Sequence, residues 1–304
     1  MGHEEVTARR HLLGLEGLPR TELEQLLSRA HEYREGRVGG RHLSGRVVAN
    51  VFYEPSTRTR SSFEVAAAGL GAHVLNWTVT GSSASKGETL VDTAKNIAAL
   101  GVSVIIVRHQ HSGAAALVAR SVGCSVINAG DGQHEHPSQG LLDAYTLWRR
   151  WGGVLENKRV AIVGDILHSR VARSNLHALK ALGVKLVFCG PPTLLPSHLS
   201  QLGVDVTTEL DVALNGADAV MMLRIQKERA SEALFPSAAE YHQRWGLTTA
   251  RAAALKPEAV VLHPGPVNRG LELSPEVADG QRSLILEQVE NGIAVRKAVL
   301  EAVS

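Results

Sequence analysis

Residues 46–70 read RVVANVFYEPSTRTRSSFEVAAAGL and contain one complete unit of the pattern that predicts the fold. Its first eight residues form a short apolar run typical of a buried strand, and an Ala-rich segment of helical period begins at Thr57. Short Val- and Ile-rich runs continue to alternate with longer Ala/Leu segments along the chain. Repeated β-α units of this kind predict an α/β protein built on mostly parallel sheets.

The same pattern places the individual elements. The predicted strands cover 46–53, 72–76, 102–107, 124–128, 159–163, 184–188, 204–207, 218–223 and 259–262. The predicted helices cover 20–35, 57–70, 88–100, 113–122, 137–150, 170–182, 208–215, 249–255 and 281–303. The polar segment 226–248 predicts a long loop. The Asn291-Gly292 pair predicts an exposed or kinked point in the last helix.

The 304 residues indicate two domains. The strand-helix alternation breaks at WRRWGG, residues 148–153, so we expect domains at 1–150 and 151–304. In each domain we expect a mostly parallel sheet flanked by helices.

Charge and apolar patterning exclude several classes of protein. The 32 Lys and Arg nearly balance the 30 Asp and Glu, and no single-sign block resembles a nucleic-acid-binding arm. Apolar runs such as 102–107 are far shorter than the roughly 18 residues of a membrane span. Cys124 and Cys189 lie apart in apolar runs, and the N-terminus does not resemble a signal peptide. We therefore expect a cytoplasmic protein that binds neither nucleic acid nor membrane.

The segment Pro55-Ser56-Thr57-Arg58-Thr59-Arg60 joins the first strand of residues 46–70 to the following helix. We expect Ser or Thr to cap the helix, its first N–H groups to point outward, and Arg58 to fork onto phosphate oxygens. Taken alone, the segment is equally consistent with a capped helix that carries surface arginines.

Six further motifs follow in order. They are Lys86-Gly87-Glu88-Thr89, Arg108-His109, His136-Pro137-Ser138-Gln139, Gly164-Asp165 with Arg170, the stretch 224–229 (RIQKER), and the stretch 263–270 (HPGPVNRG). With Ser-Thr-Arg-Thr-Arg they resemble the aspartate and ornithine carbamoyltransferase family, from about residue 10 to the C-terminus. Ornithine enzymes carry His-Cys-Leu-Pro and Ser-Met-Gly segments, whereas Pro264 and Gly265 stand here and no Cys follows Cys189. The resemblance therefore favours the catalytic chains of the aspartate branch.

The resemblance implies an enzyme that transfers the carbamoyl group of carbamoyl phosphate to L-aspartate, without a metal or a cofactor. The products would be N-carbamoyl-L-aspartate and phosphate, in de novo pyrimidine biosynthesis. The implied carbamoyl-phosphate site contains Ser56, Thr57, Arg58, Thr59, Ser82, Arg108, His136, Gln139, Gly265 and Pro266. The implied aspartate site contains Lys86, Arg170, Arg224 and Gln226. The implied catalytic residues are Arg58, Thr59, Lys86, Arg108 and His136.

The chemistry of carbamoyl transfer agrees with these roles. Backbone N–H groups of residues 56–59 and Arg58 would bind the phosphate, and Lys86 and Arg108 would add positive charge as it departs. Three side chains would hold the carbonyl oxygen as an oxyanion hole: Thr59, Arg108 and His136. Three acceptors would bind the carbamoyl NH₂: the Gln139 side chain and the carbonyls of Gly265 and Pro266.

The amino-acid substrate brings two carboxylates. The second domain offers two well-separated arginines, Arg170 and Arg224, with Gln226 close behind in sequence. One arginine for each carboxylate is the bidentate match.

Other readings of particular residues have less support. The His-x-His pairs at 109–111 and 134–136 lack a third ligand fixed by spacing, so we expect no metal. Gly164-Asp165 lacks the Gly-x-Gly-x-x-Gly turn of a dinucleotide site. We expect Glu54 to be a structural partner of nearby arginines, and Arg296 and Lys297 to lie on a solvated helix face.

The family also implies an assembly. Its terminal helices bridge the two domains, so we expect helix 281–303 to pack back on the first. Its catalytic chains form homotrimers in which the loop around Ser82 and Lys86 reaches a neighbouring subunit's site. Regulatory or dihydroorotase chains are partners that the family allows. Two alternatives stay open: a carbamoyltransferase for another amino acid, and a non-catalytic paralogue that serves as a scaffold.

Overall fold

The computed structural model describes residues 10–78, 88–196, 198–225 and 237–304. The chain divides into two compact units. The first unit extends up to Tyr145 and includes Glu290–Ser304, and the second unit is Thr146–Val289.

The first unit contains a parallel sheet with strand order β1-β5-β4-β2-β3. Its strands are β1 (His11–Leu12), β2 (Val47–Phe52), β3 (His73–Thr78), β4 (Val104–His109) and β5 (Ser125–Asp131). The central strands β2, β4 and β5 are almost wholly buried. Strands buried on both faces are typical of a parallel sheet covered by helices.

The second unit repeats this arrangement with strand order β10-β9-β6-β7-β8, again parallel throughout. Its strands are β6 (Arg159–Val163), β7 (Lys185–Cys189), β8 (Asp205–Thr207), β9 (Ala219–Met222) and β10 (Val260–Leu262). The α/β fold with mostly parallel sheets is confirmed.

Helices connect the strands in both units. They are α1 (Arg20–Arg34), α2 (Thr57–Gly69), α3 (Leu90–Ala99), α4 (Ala114–Ser121), α5 (Pro137–Arg150), α6 (Arg170–Ala181), α7 (Leu210–Leu214), α8 (Ala238–Trp245), α9 (Thr249–Ala253), α10 (Pro275–Ala278) and α11 (Ile285–Ala302). Across the described ranges, no helix is both long and apolar enough to cross a membrane.

Each of the nine predicted strands is present, but the loop predicted over 226–248 is wrong at its end. Residues 226–236 lie outside the description, whereas 238–245 form α8. The Ser237 side chain caps this helix by accepting a hydrogen bond from the Glu240 N–H at 3.1 Å. Tyr241 and Trp245 are buried in the core of the second unit. The Ser-x-x-Glu pattern at 237–240 was the sequence signal for this helix.

Helix α11 corrects two further predictions. It runs through Asn291 and Gly292 without a break, and both residues are buried. Arg296 is also buried rather than solvated, with only 4% of its surface exposed. A Cβ atom at Gly292 would lie 2.5 Å from the Arg296 Nη1 atom, so this glycine makes room for the guanidinium. Lys297 is half-buried, and its Nζ lies 5.7 Å from the centre of the Tyr33 ring.

Strand order locates where each sheet can bind a ligand. The chain leaves β2 toward β3 on one side and leaves β4 toward β5 on the other. In the second sheet it likewise leaves β6 toward β7 and β9 toward β10. A crevice forms at the carboxyl ends of two neighbouring strands whose connections run in opposite directions. Each unit therefore has one such point, between β2 and β4 and between β6 and β9.

Candidate active site

The first candidate half-site begins where β2 leads into α2. Ser56 stands at the N-cap position, but its side chain makes no capping hydrogen bond, so the prediction of a Ser cap is wrong. Thr57 and Arg58 are exposed, and Thr59 is buried. Because the first N–H groups of a helix have no partner within the helix, this end is a suitable binding place for an anion.

Arg108 lies at the carboxyl end of β4, in register with Phe52 of β2. Its Nε donates to the Glu54 Oε2 atom at 3.1 Å, and its Nη1 donates to the Ala129 carbonyl at 3.4 Å. The prediction that Glu54 is a structural partner of an arginine is confirmed. This pair fixes the guanidinium beside the start of α2.

The turn from β5 into α5 supplies His136 and Gln139. His136 is 4% exposed, and its carbonyl accepts the N–H groups of Gln139 and Gly140 at 2.9 and 3.1 Å. The Gln139 Nε2 donates to the Asp143 Oδ1 atom at 2.9 Å. Just before His136, the buried Glu135 carboxylate accepts the Leu15 N–H at 2.9 Å. This bond also holds the turn in place.

The two His-x-His pairs have other neighbours. The His134 Nδ1 lies 3.1 Å from the Asp131 Oδ1 atom, and the His109 Nδ1 accepts the His111 N–H at 3.0 Å. The His109 ring also lies 4.8 Å from the Tyr53 ring. Burial, followed by the nearby His111 charge, lowers the pKa of His109. The described part of the chain contains no group of three or more His, Cys, Asp or Glu side chains that could hold a metal ion.

The second candidate half-site lies between β6 and β9. Arg170 is the first residue of α6, and the Ser169 side chain caps this helix by accepting the Ala172 N–H at 3.1 Å. Arg224 follows β9, where the Leu223 N–H donates to the Val163 carbonyl at 2.8 Å. This bond holds the exit of β9 beside the end of β6. Both arginines are partly buried.

Gly265 and Pro266 follow β10, and a buried histidine fixes this turn. The His263 Nδ1 accepts the Gly265 N–H at 2.7 Å, and its Nε2 lies 3.2 Å from the Glu272 Oε1 atom. Because Nδ1 accepts, the ring proton is assigned to Nε2, which donates to Glu272. Gly265 has φ of 64°, in the left-handed region that favours glycine.

Most of the predicted site residues lie together at one edge of the sheet in their own unit. In the first unit, Ser56–Thr59, Arg108, His136 and Gln139 lie at the carboxyl ends of neighbouring strands. In the second unit, Arg170, Arg224, Gly265 and Pro266 do the same. Ser82, Lys86 and Gln226 lie outside the described residues.

Sequence reasoning missed the supporting residues Asp143 and Glu272. Both carboxylates are fully buried, and each accepts a hydrogen bond beside a predicted site residue. The signal for Asp143 was its i, i+4 spacing from Gln139 within an apolar helix.

Two family models together match most of the chain. The aspartate/ornithine carbamoyltransferase carbamoyl-P binding domain matches residues 10–149. The Asp/Orn binding domain of the same family matches residues 156–303. The chain belongs to the aspartate/ornithine carbamoyltransferase family.

Curated relatives in this carbamoyltransferase family are similar over nearly the whole chain. The aspartate carbamoyltransferase catalytic subunit of Myxococcus xanthus is 63% identical over 293 residues, which cover 96% of this chain and 98% of the relative. The catalytic subunit of Anaeromyxobacter dehalogenans is 55% identical, covering 96% and 94%.

Solved carbamoyltransferase structures share the fold. Aspartate transcarbamoylase from Trypanosoma cruzi in complex with carbamoyl phosphate is 29% identical with a TM-score of 0.88, covering 97% of this chain and 95% of that chain. Ornithine carbamoyltransferase from Thermus thermophilus is 30% identical with a TM-score of 0.87, covering 98% and 99%. Backbone similarity therefore does not separate the two kinds of carbamoyltransferase.

Proposed function

We propose that this chain is an aspartate carbamoyltransferase, which transfers the carbamoyl group of carbamoyl phosphate to the amine of L-aspartate. The products are N-carbamoyl-L-aspartate and phosphate, in de novo pyrimidine biosynthesis. The observation that carries the proposal is the pair Arg170 and Arg224, which follow adjacent strands at the switch point of the second sheet. Two arginines match the two carboxylates of aspartate. The names of relatives at 55–63% identity support the same substrate.

The phosphate group is assigned to the start of α2. No Ser56 side-chain cap occupies its N–H groups, and Arg58 is exposed beside them. Arg108 is held nearby by Glu54 and adds a second fixed positive charge. As phosphate leaves, it gains negative charge, so these groups stabilise the transition state more than the ground state.

The carbamoyl group is assigned to the neighbouring side chains of the first unit. Thr59, Arg108 and His136 donate to the carbonyl oxygen as negative charge develops on it. Gln139 accepts a hydrogen bond from the carbamoyl NH₂. The uncharged aspartate amine then forms a bond to the carbamoyl carbon, and the bond from that carbon to the phosphate oxygen breaks. Phosphate leaves with the electron pair and takes up the proton that the amine nitrogen loses.

Five further residues are assigned from the family resemblance. Ser82 belongs to the carbamoyl-phosphate site, and Lys86 and Gln226 belong to the aspartate site, where Lys86 also adds positive charge as phosphate departs. The carbonyls of Gly265 and Pro266 accept hydrogen bonds from the carbamoyl NH₂. The left-handed φ of Gly265 and its bond to His263 support a fixed carbonyl direction at this turn.

A transfer assay tests the reaction. The purified chain is incubated with radiolabelled carbamoyl phosphate and L-aspartate, L-ornithine, L-glutamate or L-asparagine in turn. We expect label only in N-carbamoyl-L-aspartate. Transfer to another amino acid would overturn the aspartate assignment, and no transfer to any of them would indicate a non-catalytic paralogue.

We also propose a homotrimer with shared active sites, in which Lys86 acts in a neighbouring subunit's site. If so, Lys86→Ala and Arg58→Ala carry defects in different chains of one composite site. Mixing the two inactive proteins after dissociation should create some sites with neither defect and restore part of the activity. A monomer in sedimentation, or a mixture as inactive as its parents, would remove the shared-site proposal and leave the reaction standing.

A reducing cytoplasm is the location we propose, because Cys124 and Cys189 are both free thiols. Burial raises the pKa of Cys189 to about 12, so this thiol is unreactive at neutral pH. Regulatory or dihydroorotase chains are candidate partners, and size-exclusion chromatography of the native complex would detect them.

A further inference from the structure

A fully buried carboxylate lies next to the carbamoyl site of the first unit. Asp143 is 0% exposed and accepts a hydrogen bond from the Gln139 Nε2 at 2.9 Å. The two residues are one helical turn apart on α5, and Gln139 itself is 8% exposed. Asp143 therefore acts on the site through Gln139.

The chemistry of this contact fixes which way the glutamine amide faces. An ionised carboxylate only accepts hydrogen bonds, so the edge of the amide that faces Asp143 must be its NH₂. The Oε1 atom of Gln139 then points away from Asp143, and it forms no hydrogen bond to any residue of the described chain. Asp143 thus takes up one N–H of the amide, and the acceptor oxygen is left for a ligand.

A buried arginine supplies positive charge near Asp143. Arg296 donates to the Ser62 Oγ and to the Gly292 carbonyl, each at 3.0 Å, and lies 5.0 Å from the centre of the Phe63 ring. Burial lowers the pKa of Arg296 to about 10, although attraction to Asp143 opposes this shift. Arg296 is still a cation at neutral pH, and a nearby cation favours an ionised carboxylate.

We propose that Asp143 is a positioning residue that makes the carbamoyl site selective for an acyl phosphate carrying an NH₂ group. This inference rests on the proposed function and deepens it. Acetyl phosphate has a methyl group where carbamoyl phosphate has NH₂, so it leaves the Gln139 acceptor unpaired. If Asp143 were absent, the amide could rotate and the penalty for the methyl group would fall.

The substitution Asp143→Asn tests the proposal, because asparagine can donate as well as accept. The readout is the ratio of the inhibition constant of acetyl phosphate to the KM of carbamoyl phosphate. We expect this ratio to fall about five- to tenfold, the worth of one hydrogen bond. In a Gln139→Leu background, Asp143→Asn should not change the ratio further. A ratio that Asp143→Asn leaves unchanged would overturn the proposal.

Asp131→Asn is the matched control, because Asp131 is also a buried carboxylate of the first unit that accepts hydrogen bonds. It should lower the melting temperature but leave the ratio as in the wild type. If it lowers the ratio equally, Asp143 has only a structural role. Wild-type protein without carbamoyl transfer would contradict the proposed function instead.

An exchange of the two groups keeps the proposal testable if Asp143→Asn fails to fold beside Arg296. Gln139→Glu alone places two carboxylates together and should reduce activity severely. The double variant Gln139→Glu with Asp143→Asn restores a donor-acceptor pair and the wild-type net charge. It should recover activity at least tenfold over Gln139→Glu and keep the wild-type preference for carbamoyl phosphate. Failure to recover either property would contradict the proposal.

Discussion

Helices α2 and α6 occupy corresponding places in the two sheets, but their first turns differ. Each helix follows a strand at the switch point of its sheet, and a serine stands at each N-cap. The Ser169 side chain caps α6, whereas the Ser56 side chain makes no cap at α2. The uncapped helix offers its own N–H groups to an anion, and the capped helix offers the side chain of Arg170.

This difference indicates how the two units divide the work. On the proposed function, main-chain groups would recognise phosphate, which is common to all reactions of this kind. Side chains would recognise the second substrate, and side chains can change without altering the fold. The similar TM-scores to an aspartate and an ornithine enzyme agree with specificity that depends on side chains.

Loss of Arg58 should give the largest effect. Arg58→Ala removes a charge-assisted contact to phosphate, so we expect a cost of about 2 kcal/mol or more in transition-state binding, roughly thirtyfold in kcat/KM for carbamoyl phosphate. Arg120→Ala, at an exposed arginine of α4, is the control and should change little. Steady-state kinetics that show normal activity in Arg58→Ala would contradict the phosphate assignment.

Loss of Arg224 should affect only the second substrate. Arg224→Ala leaves a carboxylate of aspartate unpaired, so we expect the aspartate KM to rise about ten- to thirtyfold while carbamoyl phosphate binding barely changes. Arg173→Ala, at an exposed arginine of α6, is the matched control. If aspartate kinetics survive Arg224→Ala, this arginine is structural and the amino-acid substrate is open again.

Replacing Ser169 and replacing Ser56 should change the free energy of unfolding by different amounts. Ser169→Ala removes a capping hydrogen bond and should cost about 1 kcal/mol of unfolding free energy. Ser56→Ala removes no such bond, so the unfolding free energy should stay within about 0.3 kcal/mol of the wild-type value. Urea denaturation measures both, and equal losses would mean that the two helix starts are alike.

The smallest effect concerns acid stability. Burial alone would raise the pKa of Glu301, but hydrogen bonds from Arg29 and Tyr33 outweigh it and lower that pKa. Because the pKa of Glu301 is lower in the folded state, this group stabilises the fold at pH values above its unfolded-state pKa of about 4.3. That contribution is lost as the pH falls through the folded-state pKa.

Glu301→Gln should therefore cost less than about 1 kcal/mol at pH 7 and flatten the loss of stability on acidification. Melting temperatures between pH 7 and pH 3 measure this change. A steeper acid loss in the variant than in the wild type would contradict the sign of the shift.

The sequence predicted the parts of the fold that local pattern determines. Apolar runs and helical periods located the strands, and the family motifs beside those strands located Arg108 and Arg224. The missed features depend on tertiary contacts. In the sequence, Gly292 suggests a break in the helix, but in the structure it leaves the room that the Arg296 guanidinium occupies. Strand β1 has only two residues and exists through its pairing with β5.

The cap at Ser56 failed as a prediction for a different reason. Residue type places serine at the N-cap, but only the backbone conformation decides whether its hydroxyl reaches an N–H group. Asp143 was missed because a single aspartate in a helix pattern is usually exposed, whereas this one is fully buried in the folded chain.

Inhibition by N-phosphonacetyl-L-aspartate tests most directly whether one reaction uses both half-sites. This compound carries a phosphonate and the two carboxylates of aspartate, and we expect competition with carbamoyl phosphate. Arg58→Ala and Arg224→Ala should each weaken its inhibition at least tenfold, whereas inhibition by inorganic phosphate should weaken only in Arg58→Ala. Unchanged inhibition by the compound in Arg224→Ala, or in Arg58→Ala, would contradict the division of substrate binding between the two units.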